Sequence, residues 1–223
     1  MSFDPVYHDA LLLTLIWAGY FIIHSLLASL TVKGWVANRN PDFMPMYRLM
    51  FNFIAIALLA APLWILFTGQ RVILWDYQGW LFWLTNGIAG LAVVAFVVSL
   101  RYYDGSEFLG LRQLRAQEKS IEDQEHLHLS PFHRYVRHPW YCFALILIWT
   151  RPMDSLMFVS AIFMSLYFFI GSRLEEKKLV QYYGRVYEQY TSKVPGLFPL
   201  PWKHLTASQV NELMDEYRKN KTG

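Results

Sequence analysis

The stretch HRYVRHPWY sets His133, Arg134, Arg137 and His138 directly before Pro139, and an apolar run follows at once. Beyond the next apolar run stand two adjacent carboxylates, Glu175 and Glu176. Proline is tolerated in the first turn of a helix, so Pro139 marks a helix start or a kink in a helix already begun. A helix N-terminus offers amide groups and a partial positive charge. With Arg137 and His138 it suits an anionic group such as a carboxylate; the plainer alternative is that both side chains snorkel to lipid headgroups. If the two apolar runs form a helical hairpin, RHPWY at the start of one and EE just past the other become neighbours. Opposite charges with Tyr141, Tyr187 and Tyr190 nearby suit a zwitterionic, cationic ligand. The alternative for Glu175 and Glu176 is a solvated helix start paired with Lys177 and Lys178.

A second group lies earlier. His24, with Ser25, interrupts an otherwise apolar segment, and an ionisable residue at such a position is a functional candidate by default. Tyr47, Arg48 and Asn52 follow on the next apolar segment. The alternative for His24 is an interhelical hydrogen bond, for instance to Asn52. Asp104, Glu107 and Gln113 sit in a long polar loop, where they either cap a pocket or make solvated contacts. The single cysteine, Cys142, forms neither an intrachain disulfide nor a cysteine metal cluster and reads as a small buried apolar residue. His126 and His128 are two apart without a further ligand pattern, so no metal site is expected.

These residues are positioned by apolar segments. Of 223 residues, 55% are hydrophobic and 17% charged, against about 25% charged in an ordinary soluble domain. Residues 11–30 carry one ionisable group, His24, and residues 49–68, 80–100 and 155–172 carry no charge. A spanning helix needs roughly 20 apolar residues. The expected architecture is therefore an all-α integral membrane protein. It is read as one domain, 1–223, with about five transmembrane helices near 9–30, 48–68, 79–101, 137–151 and 154–172. The fourth reaches spanning length only by taking in part of HRYVRHP, and RPMD joins it to the fifth as a tight hairpin.

Alternating crossings put Lys33, Arg39, Arg48, the loop from 101 to 137 and everything from 173 onward on one side. Only Arg71 and Arg151 fall on the other. The positive-inside rule then places the N-terminus outside and the C-terminal region, 173–223, in the cytoplasm. The net charge of +3 reflects this topology and not nucleic-acid binding. Trp75, Tyr77, Trp80, Trp83, Trp140 and Trp149 fall near span ends, as an aromatic belt does. The first segment lacks a basic leader region, which suits a retained anchor. After residue 173, apolar positions from Leu174 to Tyr190 fit a one-faced helix bent at Gly184. VPGLFPLPW breaks it, and TASQVNELMDEYRKN forms a short final helix with a Thr206–Gln209 capping box.

RHPWY followed by EEKKLVQYYGRVYEQYTSKVPGLFP resembles the isoprenylcysteine carboxyl methyltransferase and phospholipid methyltransferase superfamily. The pattern is carried by Arg137, His138, Pro139, Tyr141, Glu175, Glu176, Leu179, Gly184, Tyr187, Tyr190, Val194, Pro195 and Pro199, and it covers about residues 130 to 199. HSLLASLTVKGW, MYRLMFNFIAIALL and EFLGLRQL are similar to the NnrU-like branch, which includes methanethiol S-methyltransferases. The resemblance implies S-adenosyl-L-methionine as cofactor, bound at the cytoplasmic ends of the last two membrane helices. By position it implies Leu129, Ser130, His138, Tyr141, Glu175 and Glu176 as cofactor-binding residues, with Arg137 orienting them. Carboxyl methyltransferases of the superfamily also use a basic residue near the Glu pair, and Arg173 stands there. Aromatic rings would favour a sulfonium by cation–π contact.

Methyl transfer is an in-line displacement that needs alignment, desolvation and a competent nucleophile. For a thiol the reactive form is the thiolate. His24 is the expected proton acceptor or relay, lining the substrate pocket, with Arg48 and Asn52 positioning substrate or loop. The favoured activity is methyl transfer to a small thiol such as methanethiol. Alternatives are an isoprenylcysteine carboxyl or lipid methyltransferase, an NADPH-dependent membrane reductase, and a non-catalytic membrane partner that keeps the fold. Expected partners are a small or lipid-borne thiol and membrane lipids, with no nucleic acid; no feature specifies an oligomer. The expected location is a bacterial inner membrane, with the active site facing the cytoplasm.

Overall fold

A computed structural model describes residues 5–119 and 127–222, the side chains of 220–222 excepted. In chain order its elements are α1 (Pro5–Ala28), α2 (Leu30–Arg39), α3 (Met44–Thr68), β1 (Ile73–Trp75), α4 (Trp80–Ser99), α5 (Gly105–Leu109), α6 (Leu111–Ala116), α7 (Pro139–Trp149), β2 (Met153–Asp154), α8 (Ser155–Lys193) and α9 (Ala207–Thr222). Short 3-10 turns precede α3, extend α4 and precede α7. The described residues are all-α apart from one two-stranded antiparallel ribbon of β1 and β2. Among the described residues four helical segments are long and apolar enough to cross a membrane: Pro5–Ala28, Pro41–Thr68, Trp80–Tyr102 and Ser155–Lys193.

The segment expected to cross at 137–151 differs. It is an 11-residue helix, α7, about 16 Å long at 1.5 Å per residue and short of a hydrocarbon core of about 30 Å. Its first residue is fixed by backbone pairing ahead of it. The Arg137 amide donates to Pro195 O at 2.9 Å and the His138 amide to Gly196 O at 3.1 Å. Arg137 and His138 are thereby held outside the helix, and winding begins at Pro139. The segment expected at 154–172 runs on without a break into the C-terminal helix. The two form α8, interrupted only at Gly184, whose φ of 55° and ψ of −136° are non-helical. The first segment, expected at 9–30, ends at Ala28 because Ser29 caps α2, its hydroxyl accepting from the Val32 amide at 3.2 Å. The Thr206–Gln209 capping box forms as expected, with Thr206 N donating to Gln209 Oε1 at 2.9 Å and Gln209 N to Thr206 Oγ1 at 3.3 Å.

The described residues form two compact units. In the first (5–77, 103–119 and 152–164), Leu13, Trp17 and Leu156 make a core beneath Tyr20, Phe21, Leu59 and Phe163. Trp17 Nε1 donates to Ser160 Oγ at 2.9 Å, satisfying the one polar atom of a buried indole. Gly110 sits against α3: its φ is +87°, and a Cβ there would fall 2.7 Å from the Leu49 amide nitrogen. Only glycine allows both the conformation and the approach.

In the second unit (78–102, 127–151 and 165–222), α7 lies antiparallel to α4. Trp140 Nε1 donates to Ser99 Oγ at 2.8 Å at one end, and Arg151 Nη1 to Asn86 Oδ1 at 2.9 Å at the other. The far part of α8 packs with α9. Tyr183, Val186, Tyr187, Tyr190, Val194, Leu205 and Leu213 make that core, joined by Leu127.

Candidate active site

The start of α7 and the middle of α8 meet in the second unit. Glu176 Oε1 accepts from Arg137 Nε at 2.8 Å, and Arg137 Nη2 lies at 2.8 Å from the same oxygen. The third guanidinium nitrogen, Nη1, donates to the carbonyls of Thr191, at 2.9 Å, and Val194. Arg137 thus ties α8 to the turn that ends it. The planar fork of five donors is what permits one side chain to hold a carboxylate and two carbonyls together.

His138 lies between the two carboxylates. Its Nε2 is 3.0 Å from Glu176 Oε1 and its Nδ1 3.5 Å from Glu175 Oε2. Burial opposes charging this imidazole, yet the two carboxylates outweigh burial and raise its pKa above the ordinary histidine value. Tyr141 adds a donor to Glu175 Oε2 at 3.3 Å. Its ring stacks on His138 at 5.4 Å between centroids and on Phe168 at 4.8 Å.

The two glutamates are not equivalent. The Glu176 side chain is 12% exposed and closed over by Arg137 and His138, whereas that of Glu175 is 38% exposed. Adjacent residues on a helix point about 100° apart, so one can face the packed interior while the other faces outward.

Ser130 and Leu129 stand just before this cluster. Ser130, buried, opens the 3-10 turn Pro131–Arg134. Its amide donates to His133 Nδ1 at 3.0 Å, and its hydroxyl lies 2.8 Å from the same nitrogen. Burial, reinforced by His128 and His138, pushes the His133 imidazole down to about 3. His133 is therefore neutral, and its Nδ1 serves as acceptor. Leu129 packs against the α8–α9 core. Tyr187 and Tyr190 belong to that core, 2% and 1% exposed, and the Tyr190 hydroxyl donates to His133 O at 2.7 Å. Arg173 is exposed, with its guanidinium 5.3 Å from the centre of the Phe169 ring.

His24, Arg48 and Asn52 lie in the first unit. The His24 ring stacks on Tyr20 at 5.7 Å and tilts against Phe51 at 4.8 Å. Arg48 Nε, at 3.2 Å, and Asn52 Nδ2, at 3.0 Å, both donate to Phe108 O. Asp104 caps α5 through the amides of Ser106 and Glu107, and Arg112 lies 3.0 Å from Glu107. Among the described residues no cluster of His, Cys, Asp or Glu has metal-binding geometry; His126 lies outside the described residues.

Sequence reasoning missed the backbone pairing of Arg137 and His138 with Pro195 and Gly196, the Ser130–His133 box and the Phe168 ring. The pairing has a visible signal in VPGLFP, which by itself reads only as the end of a helix. The Phe168 contact had none, because Phe168 is one of many aromatic residues in its segment.

The fold and the cluster define a helical integral membrane protein with a charged site at the start of a short apolar helix. No family model matches the chain, and no solved structure matches it. Curated relatives do. A methanethiol S-methyltransferase of a Pseudomonas species is 32% identical over 201 residues, covering 86% of this chain and 72% of the relative. One from Crocosphaera subtropica is 28% identical over 205 residues, covering 85% and 75%. One from Mycobacterium tuberculosis is 28% identical over 213 residues, covering 88% and 81%. The chain belongs to the methanethiol S-methyltransferase family and is a methyltransferase. Its reaction therefore requires a methyl donor.

Proposed function

We propose that this protein methylates methanethiol with S-adenosyl-L-methionine as the donor, and that the donor is held by the cluster at the start of α7. The observation that carries this reading is the division between a closed Glu176 and an accessible Glu175. A donor bearing a sulfonium and an α-ammonium group needs a carboxylate it can reach, and Glu175 is that group. Its α-carboxylate suits the partial positive charge at the α7 N-terminus. When bound, the donor supplies an electrophilic methyl group on a sulfonium sulfur.

The chain's own residues then have separate tasks. Arg137 holds Glu176, and Glu176 with Glu175 favours the cationic form of His138. Tyr141, itself stacked on Phe168, fixes the imidazole plane by stacking. Leu129 and Ser130 set the course of the segment leading into Arg137. In the transfer, the thiolate sulfur forms a bond to the methyl carbon as the bond to the sulfonium sulfur breaks. The products are dimethyl sulfide and the demethylated donor. His24 is assigned to take the thiol proton, and Arg48 and Asn52 to hold the Phe108 segment. The Lys and Arg distribution supports a site open to the cytoplasm of a bacterial inner membrane.

Calorimetry of detergent-purified protein, with headspace detection of dimethyl sulfide, tests the reading. Wild type binds S-adenosyl-L-methionine and converts methanethiol. Glu175→Gln loses donor affinity with little change in thermal midpoint, whereas Glu176→Gln loses affinity and midpoint together. NADPH binding in place of the donor, or a Glu175→Gln protein with undiminished affinity, overturns it. A His24→Ala protein with full turnover and an unchanged pH profile removes His24 from the reaction.

A further inference from the structure

The turn after α8 bears large aromatic side chains that the site does not use. Phe198 is 58% exposed and Trp202 76%, and Tyr135, in the segment ahead of α7, is 49% exposed. The turn is closed by a backbone bond: the Lys203 amide donates to Leu200 O at 3.0 Å, so Pro201 and Trp202 form the tip of a tight four-residue turn. Proline at the first corner presets that backbone.

The turn is also fixed to the entrance of α7. Leu205 N donates to Arg134 O at 3.0 Å, and Arg134 Nε donates to Leu205 O at 2.9 Å. Tyr135 stacks on His204 at 5.9 Å, and the Arg134 guanidinium lies 5.7 Å from the Tyr135 ring centre. The patch thus joins exposed Phe198, Trp202 and Tyr135 to the cationic groups of Arg134 and Lys203. It hangs five residues ahead of Pro139, where the apolar helix begins.

We propose that the turn Phe198–Lys203 is an interfacial anchor that inserts Trp202 and Phe198 into the lipid leaflet on the Arg137 side of the membrane. Three features select lipid over a protein partner. The chain is already membrane-bound beside the patch, so insertion carries little further cost in lost translational freedom. Trp and Phe next to Lys and Arg match the composition of surfaces that sit at the headgroup–acyl boundary. The cations complement anionic headgroups. The anchor holds the segment 195–205, and through Arg134 and Pro195 the base of α7, against the membrane plane.

Difference quenching tests this. Full-length wild type and Trp202→Phe are reconstituted in nanodiscs of phosphatidylglycerol and phosphatidylethanolamine, with chains either brominated or not. Their difference spectrum isolates Trp202. The expected result is loss of most of that difference emission in brominated lipid, with little quenching by aqueous iodide. Quenching by iodide and not by bromine overturns the proposal, since Trp202 is then in water. Shielding from both also overturns it, in favour of a protein contact. Trp202→Phe keeps an aromatic side chain at an exposed site, and an unchanged thermal midpoint confirms that the comparison is between folded proteins.

Discussion

Arg137 and Glu176 are 11% and 12% exposed and share one oxygen through two guanidinium nitrogens, so their coupling can be measured. Take Arg137→Met, Glu176→Gln and the double variant. Removing one member of a buried pair leaves an uncompensated charge and costs about 3–5 kcal/mol. In Arg137→Met, His138 still faces Glu176 at 3.0 Å. The lower end, about 3 kcal/mol, is therefore the expectation for that variant. The Thr191 and Val194 carbonyls lose their donor in it as well. In the double variant neither charge is stranded, and the loss falls short of the sum by about 2 kcal/mol. A chain of this size loses roughly 2–4 °C per kcal/mol. Arg137→Met should thus fall by about 6–12 °C in thermal midpoint, and the double variant by less than the two single falls together. Intrinsic fluorescence in one detergent, scanned at one rate, reads all four proteins. Additivity within about 0.5 kcal/mol would refute the assignment of this pair as the lock between α7 and α8.

Three further outcomes follow from particular contacts. The raised pKa of His138 stabilises the fold fully below the unfolded-state value near 6.5, and that contribution is lost as pH rises through the higher folded value. The thermal midpoint should therefore fall from about pH 6.5 upward, and His138→Gln should flatten that fall; an unchanged alkaline slope in the variant sinks the assignment. Gly184 has a positive φ, and nothing lies within 4 Å of where a Cβ would be. Gly184→Ala should thus cost about 1–3 kcal/mol through backbone strain alone, read as a midpoint shift; no shift means that the bend relaxes. Ser99→Ala removes the acceptor of Trp140 Nε1, and should cost about 1 kcal/mol with Trp140 emission altered; a Trp140→Phe background should erase the effect.

The sequence alone carried the membrane class. Four runs of 18–21 residues without Lys, Arg, Asp or Glu match the roughly 20 apolar residues that a bilayer crossing needs. It also carried the neighbourhood of Arg137, His138, Tyr141, Glu175 and Glu176, because two apolar runs joined by a short turn return the chain to its starting side. The Gly184 bend and the Thr206 cap were legible because each depends on local backbone chemistry.

Other features needed tertiary structure. That α7 begins at Pro139 and not at Arg137 is fixed by Pro195 and Gly196, whose carbonyls take the Arg137 and His138 amides; local periodicity contains no record of so distant an acceptor. The same holds for the two glutamates. As letters Glu175 and Glu176 are identical, and only the packing of Arg137 and His138 against α8 closes one and leaves the other exposed. Charge type is written in the sequence, but the solvent and partners that determine what a charge does are set by residues far along the chain.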